Sequence, residues 1–262
     1  MNFAKYYQIF LLSWRLNLQS WGALLGRLGF YALLLFVFAQ LWQVALEAKI
    51  VQSFNSDQMI WYLAVTEWII LSLPLIHLDI EQDVRSGDIA FQLGQPIGYV
   101  PAKFSFAFAS LLFRLIFMGI GGYILASVLT KSWSPSSLQI FSSVIPLGIC
   151  ASILALLFQI MIGLSAFWLQ DTAPAAWVWQ KLIFIMGGLI LPLDLYPDWL
   201  QQIAQFLPFS AILYAPGIAT ISDNVTLSLL TFFRLFLWTC FAIILLRWMF
   251  QRAVQILDVN GG

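Results

Sequence analysis

Charge is what this chain has least of. Its 262 residues carry 12 Lys and Arg and 12 Asp and Glu, where an average soluble domain of that length carries roughly 65 charges at about 25%. The shortage excludes an ordinary soluble enzyme, and the net charge of zero argues against a nucleic-acid partner, which is held chiefly by neutralising phosphates. Cysteine and histidine are equally scarce. Cys150 and Cys240 lie inside apolar runs with no His or second Cys at a ligand spacing, so both read as packing residues. The single histidine, His77, sits where an apolar run meets a charged segment and reads as an interface residue. No Gly-x-x-x-x-Gly-Lys-Ser/Thr loop, His-Glu-x-x-His pair or Ser/His/Asp arrangement is visible, which excludes ATP binding through a P-loop and makes a membrane-embedded hydrolase a poor fit. Neither a catalytic residue nor a bound metal is expected on the chain. No polar stretch is long enough for a soluble catalytic domain. Arg15, Asn17 and Gln19 precede the first uninterrupted apolar run, so the N-terminal segment reads as retained rather than as a cleaved signal.

What is abundant is apolar length. A helix needs roughly 20 mostly apolar residues to cross a bilayer, and runs at 28–45, 59–78, 104–129, 140–169, 175–193 and 227–246 are each long enough. The expected fold is therefore all-α: a polytopic membrane protein with six transmembrane helices in a single transmembrane domain, 1–262. The 12 Trp among the aromatic 16% suit the two membrane interfaces. Before the first run, over 1–22, Phe3, Tyr7, Phe10, Trp14, Leu18 and Trp21 recur at helical spacing while Lys5, Gln8, Arg15, Asn17 and Gln19 fall elsewhere, which predicts an amphipathic helix lying in the interface. Gly22 and Gly26 permit close helix approach or mark a bend. With the N-terminus in the cytoplasm, that side holds Lys5, Arg15, Arg27, Arg85, Lys103, Lys181, Arg247 and Arg252 and the other only Lys49 and Lys131. The excess orients both termini to the cytoplasm.

Three features stand out. The most polar stretch, 79–100, joins the second and third runs. Ser86, Gly87 and Asp88 suit a helix start, Ile89 to Leu93 give one or two turns, and Gly94 and Pro96 end them. A capped helix presenting Ile89, Phe91 and Leu93 is a docking element; a solvated loop is the plainer alternative. On the other face, 190–222 is cut by Pro192, Pro197, Pro208 and Pro216 into pieces too short to cross. There Trp199, Ile203 and Phe206 oppose Gln201, Gln202 and Gln205, giving a short amphipathic helix that is either a lid or an interfacial anchor. Finally, Glu67, Arg114 and Arg234 lie deep in apolar runs. Such charges are costly and usually pair, so Glu67 is expected to pair with Arg114 or Arg234, as a lock between spans or as part of a pathway lining.

These elements resemble the ABC type-2 exporter permeases, and within them a bacterial branch served by a separately encoded ATPase. The resemblance rests on Asp83-Val-Arg85-Ser-Gly87-Asp88-Ile89 with Leu93, Pro96 and Phe113-Arg114. It rests also on Gly188-Leu-Ile-Leu-Pro192-Leu-Asp-Leu-Tyr-Pro197-Asp-Trp199-Leu, continuing to Leu207-Pro208-Phe209 and Tyr214-Ala-Pro216. Gly94-Gln95 departs from the Leu and basic residue common before the proline in that family. The resemblance implies a permease that pairs with a second permease chain, as homodimer or heterodimer, and with an ATPase that holds ATP and Mg; the chain itself would carry no cofactor. It further implies ATPase contact at Asp83, Arg85, Gly87, Asp88, Ile89 and Phe91, interface-helix anchors at Tyr7 and Trp14, a re-entrant extracytoplasmic segment with lid residues Trp199 and Phe206, and a place in the bacterial plasma (inner) membrane. Two other classes stay open on the residues alone: an ion-coupled secondary transporter or channel, for which Glu67 is the one intramembrane carboxylate at hand, and a non-transporting scaffold.

Overall fold

The computed structural model describes residues 3–47, 54–130, 134–222 and 225–260. Lys49 and Lys131, the two basic residues assigned to the second face, lie outside the described residues. Helix α1 (Phe3–Gln19) is followed after Ser20 by α2 (Trp21–Glu47), and a third apolar stretch is split into α3 (Ser56–Ser72) and α4 (Ile76–Ser86). The split falls at Pro74, which has no N–H to give and pushes Leu73 into extended backbone (φ −65°, ψ 129°). A short α5 (Asp88–Leu93) leads to α6 (Tyr99–Leu129). The fourth crossing, 137–169, combines α7 (Ser137–Gln139), one π turn at Ile140–Val144, α8 (Ile145–Leu164) and α9 (Ala166–Leu169). Then come α10 (Ala173–Met186), α11 (Asp198–Phe206), α12 (Pro208–Ile212), α13 (Tyr214–Ile218) and the long α14 (Val225–Asn260).

Five of these stretches are long and apolar enough to cross a bilayer: Trp21–Ala45, Ser56–Ser86, Tyr99–Leu129, Ser137–Leu169 and Ser228–Gln255. Burial sorts them into two classes. The second and fourth bury 83% and 78% of their apolar window, the other three 22–28%, so α3 and α8 form the axis and α2, α6 and α14 stand around it. The fifth apolar run, expected over 175–193, is helical only to Met186. At 1.5 Å per residue its 14 residues reach about 21 Å, short of a hydrocarbon core of about 30 Å. Gly187 and Gly188 stop it, Gly188 with φ +67°.

Packing inside a bilayer gains nothing from hiding apolar side chains from lipid, so contacts are set by shape and by polar groups. Gly163 lets α4 and α8 nearly touch: a Cβ there would stand 2.8 Å from the Ile80 Cβ. Trp68 on α3 leans against Gly148 and donates its indole N–H to the Leu115 carbonyl at 2.8 Å. The Gly22 and Gly26 positions, by contrast, face open space, so that pair brings no helix of this chain close. Next to the π turn, an apolar groove of about 630 Å³ opens between α3, α6 and α8, lined by Trp61, Trp68, Tyr123, Ile140 and Val144.

The same physics sets which face of α1 meets the bundle. Ser13 donates to the Phe106 carbonyl at 2.7 Å and Asn17 to the Ser110 hydroxyl at 2.8 Å. Both bonds join residues 93 positions apart, so α1 runs parallel to the first half of α6. Ser13 and Asn17 are buried, whereas Tyr7 and Leu18 of the aromatic stripe are exposed. Polar groups need a protein partner and apolar ones do not, so the polar side turned inward. Trp14 remains half-buried, edge-on to Phe113 with ring centroids 5.2 Å apart.

Candidate coupling site

At the end of the bundle that carries α5, one glycine makes the geometry. Gly87 has φ +79°, a conformation that costs a side-chain-bearing residue roughly 1–2 kcal/mol. It closes α4 and starts α5 in a single step, so the short helix leaves α4 at a fixed angle without a linker. Ser86 donates to the Asp88 carboxylate at 2.8 Å across that turn.

Ile89 was expected to be available for contact; it is 1% exposed. It is the peg that holds α5 on the bundle, because a six-residue helix has too little hydrogen bonding to persist unaided. Asp83 is likewise committed, pairing with Lys103 Nζ at 2.5 Å and accepting from the Tyr99 hydroxyl at 2.8 Å. Tyr99 also stacks on Phe250 of α14, 6.2 Å between centroids. What is left outward is Arg85, Gly87, Asp88 and Phe91, with Phe91 75% exposed. A crevice of about 580 Å³ beside them is bounded by Ile9 of α1, Asp79 of α4, Phe91 of α5, and Tyr99 and Lys103 of α6.

Glu81 was not singled out from the sequence, yet it is the hub of this end. One carboxylate oxygen accepts from Arg85 at 2.8 Å. The other accepts the Thr172 backbone N–H at 3.1 Å and the Thr172 hydroxyl. Thr172 is fully buried in the turn between α9 and α10. Helix α4 is thus tied through Asp83 to α6 and through Glu81 to the α9–α10 turn.

The expected lock between intramembrane charges does not form. Among the described residues the ion pairs are Arg85–Glu81 and Lys103–Asp83. Glu67 is buried on α3 without an ion pair. Arg114 instead donates to the Leu73 carbonyl at 3.3 Å, Arg27 to the Leu71 carbonyl at 2.9 Å, and Arg234 to the Gln205 carbonyl and to Ser210 Oγ at 3.1 Å. All three carbonyls belong to the last turn or the cap of a helix stopped by a proline, α3 before Pro74 and α11 before Pro208. The last carbonyls of a helix have no partner within it, and in a bilayer each such group costs several kcal/mol. Arginine, with five N–H donors, meets that need and complements the negative end of the helix dipole.

At the other end, 187–222 folds back onto the bundle. Tyr62 donates to the Gly188 carbonyl, and Thr66, one turn on, to the Leu189 carbonyl at 2.7 Å. Gln139 donates to the Ala219 and Thr220 carbonyls at 2.9 and 3.0 Å. The Tyr214 hydroxyl bonds the Asp194 carboxylate at 3.0 Å, and burial together with that carboxylate pushes the phenol above its ordinary value, so it stays a donor. Trp199, Ile203 and Phe206 point away from the bundle and Ala204 makes the inward contact; within one chain the two candidate lid residues cover nothing. Arg234→Leu should therefore loosen α11 and α12 by about 1–3 kcal/mol, the cost of leaving a helix-end carbonyl without its partner away from water. Limited proteolysis should then cut first within 198–212, and Arg234→Lys should be cut more slowly than Arg234→Leu. Equal resistance in all three proteins would remove the capping role.

A long-helix bundle with a buried axis, a segment folded back on it at one end and a short exposed helix at the other defines a multi-pass membrane protein. Residues 28–261 match the family described as ABC-2 family transporter protein, and the chain belongs to that family. It is a membrane permease component of an ABC transporter, whose ATPase is a partner subunit. Helix α1 precedes the matched residues. No curated protein matches the chain.

Proposed function

We propose that this chain is the permease half of an ATP-driven exporter in a bacterial inner membrane, with both termini cytoplasmic, working beside a second permease chain. ATP and Mg are held by the ATPase, which seats on α5 through Asp88 and Phe91 and on the end of α4 through Arg85. The observation that carries this reading is Phe91. A largely exposed phenylalanine on a polar element outside the apolar spans has no lipid to cover it, and its helix is fixed to the bundle by Gly87 and Ile89. Such an anchor is what an interface hot spot requires.

In the proposed cycle, closure of the ATPases pushes α5, and α4 transmits the push. Helix α4 pivots at Pro74 while Asp83 carries α6 and Glu81 carries the α9–α10 turn, so three elements change together and the pathway opens to alternate sides. Trp199 and Phe206 anchor α11 in the outer interface.

Co-expression with ABC ATPases of the same organism and affinity capture of the permease tests the assignment. A stoichiometric ATPase in the captured complex, with MgATP hydrolysis that depends on the permease, is expected. A permease that captures none of them would sink the reading. Gly87→Ala should cost roughly 1–2 kcal/mol of strain at the turn and weaken ATPase binding about fivefold to thirtyfold, while Gly87→Asn, which tolerates positive φ, should lose less. Equal binding by Ala, Asn and wild type would mean that the turn does not orient α5.

A further inference from the structure

Arg27 and Arg114 reach the same place from different helices. They bond the carbonyls of Leu71 and Leu73, two residues apart at the broken end of α3, so two like charges meet at one helix end. Among the described residues neither has an ion pair. Asp79, on the exposed side of α4, pairs with neither of them. Each arginine spends one of its five N–H donors on a carbonyl, and both stay partly exposed. The helix dipole of α3 supplies about half a negative charge, which leaves well over one positive charge uncompensated.

The position says which anion is at hand. The apolar α3 gives way there to the polar α4, and Trp21, half-exposed and edge-on to Phe117, precedes Arg27 on α2 by six residues, about 9 Å. This is the level where an arginine at the rim of the hydrocarbon meets lipid phosphates. We propose that Arg27 and Arg114 together bind a phosphate ester, the headgroup phosphate of an anionic lipid in the leaflet on the α5 side. The planar guanidinium fork suits two phosphate oxygens, and a phosphate bridging α2 and α6 clamps both to the end of α3. The site is independent of the ATPase assignment, since it uses no residue of α5.

The purified full chain, reconstituted in vesicles of equal phosphatidylglycerol and phosphatidylethanolamine and re-extracted, is examined by native mass spectrometry for retained lipid. Wild type should keep phosphatidylglycerol in preference. R27Q/R114Q should lose that preference about tenfold, the effect of removing one charge-assisted partner, while the exposed control R252Q keeps it. If the double variant does not fold, R27K and R114K retain charge without the fork and should each weaken retention by a factor of about three to ten. A parallel thermal-unfolding series in sodium phosphate distinguishes the source. Stabilisation of wild type but not of R27Q/R114Q by free phosphate, without lipid retention, assigns the same site to a soluble phosphate. Equal lipid retention by wild type and variants, or no response to either phosphatidylglycerol or phosphate, overturns the proposal.

Discussion

Replacing Phe91 by Asp should abolish capture of the ATPase while leaving the permease as stable as before. The side chain is 75% exposed, so its removal leaves no cavity, and surface substitutions away from buried features usually fall within about 0.5 kcal/mol. At an interface the balance reverses. A buried aromatic anchor contributes about 2 kcal/mol or more, roughly a thirtyfold change in Kd, and a carboxylate in its place adds an unpaired charge to the contact. The neighbouring Ile89 gives the opposite pattern. Its burial means that Ile89→Ala should lower thermal stability and disorder α5, so any loss of binding would accompany a loss of structure. Titrating the ATPase against wild type, Phe91→Asp and Ile89→Ala, with unfolding temperatures measured alongside, separates docking from folding. Wild-type affinity in Phe91→Asp would place the ATPase contact elsewhere on the chain.

Much of this arrangement is legible in residue types alone. Apolar runs of spanning length, the dense polar loop and the Gly87 turn each rest on a local rule, and local rules survive without knowledge of neighbours. The fold departs from the sequence reading where the deciding partner is distant. Pro74 lies inside an apolar run that hydropathy counts as one span, yet it divides α3 from α4. The carbonyls it frees are met by Arg27 and Arg114, 44 and 41 residues away. An arginine in an apolar run therefore reads as half of an ion pair, when the group that needs it is backbone. A proline within such a run, together with unpaired arginines in neighbouring runs, is the signal that could have found this.

Helix α1 shows a second limit. Its stripe of Tyr7, Phe10, Trp14 and Leu18 predicts an amphipathic helix in the interface but not which residues hold it to a neighbouring helix. Against a lipid background Ser13 and Asn17 face the protein. Ile89 is the converse case. In a segment outside the spans, water is again the reference, and the residue that buries is the β-branched one that faces the bundle.

Glu81→Ala should uncouple the machine without detaching it. The carboxylate accepts two bonds from Thr172 and one from Arg85, across 91 residues of sequence in the first case. Bonds to a charged acceptor contribute about 1.5–3 kcal/mol each, and a buried polar group left unsatisfied costs about 1–3 kcal/mol. Here the group left behind is the buried Thr172 with its N–H and hydroxyl. Phe91 and Asp88 remain in place on α5 and Arg85 loses only an exposed ion pair, so ATPase binding should weaken by no more than about fivefold. What fails is transmission. With spin labels at the exposed Ala90 and Gln202, MgATP should shift the distance between the two ends of the wild-type complex. In Glu81→Ala the shift should be lost while ATP hydrolysis continues. Thr172→Val removes the hydroxyl from the same tie and should reproduce part of the loss, and the double variant should be no worse than Glu81→Ala, because both changes act on one contact. An unaltered shift in Glu81→Ala would show that α4 moves the bundle through Asp83 and α6 alone.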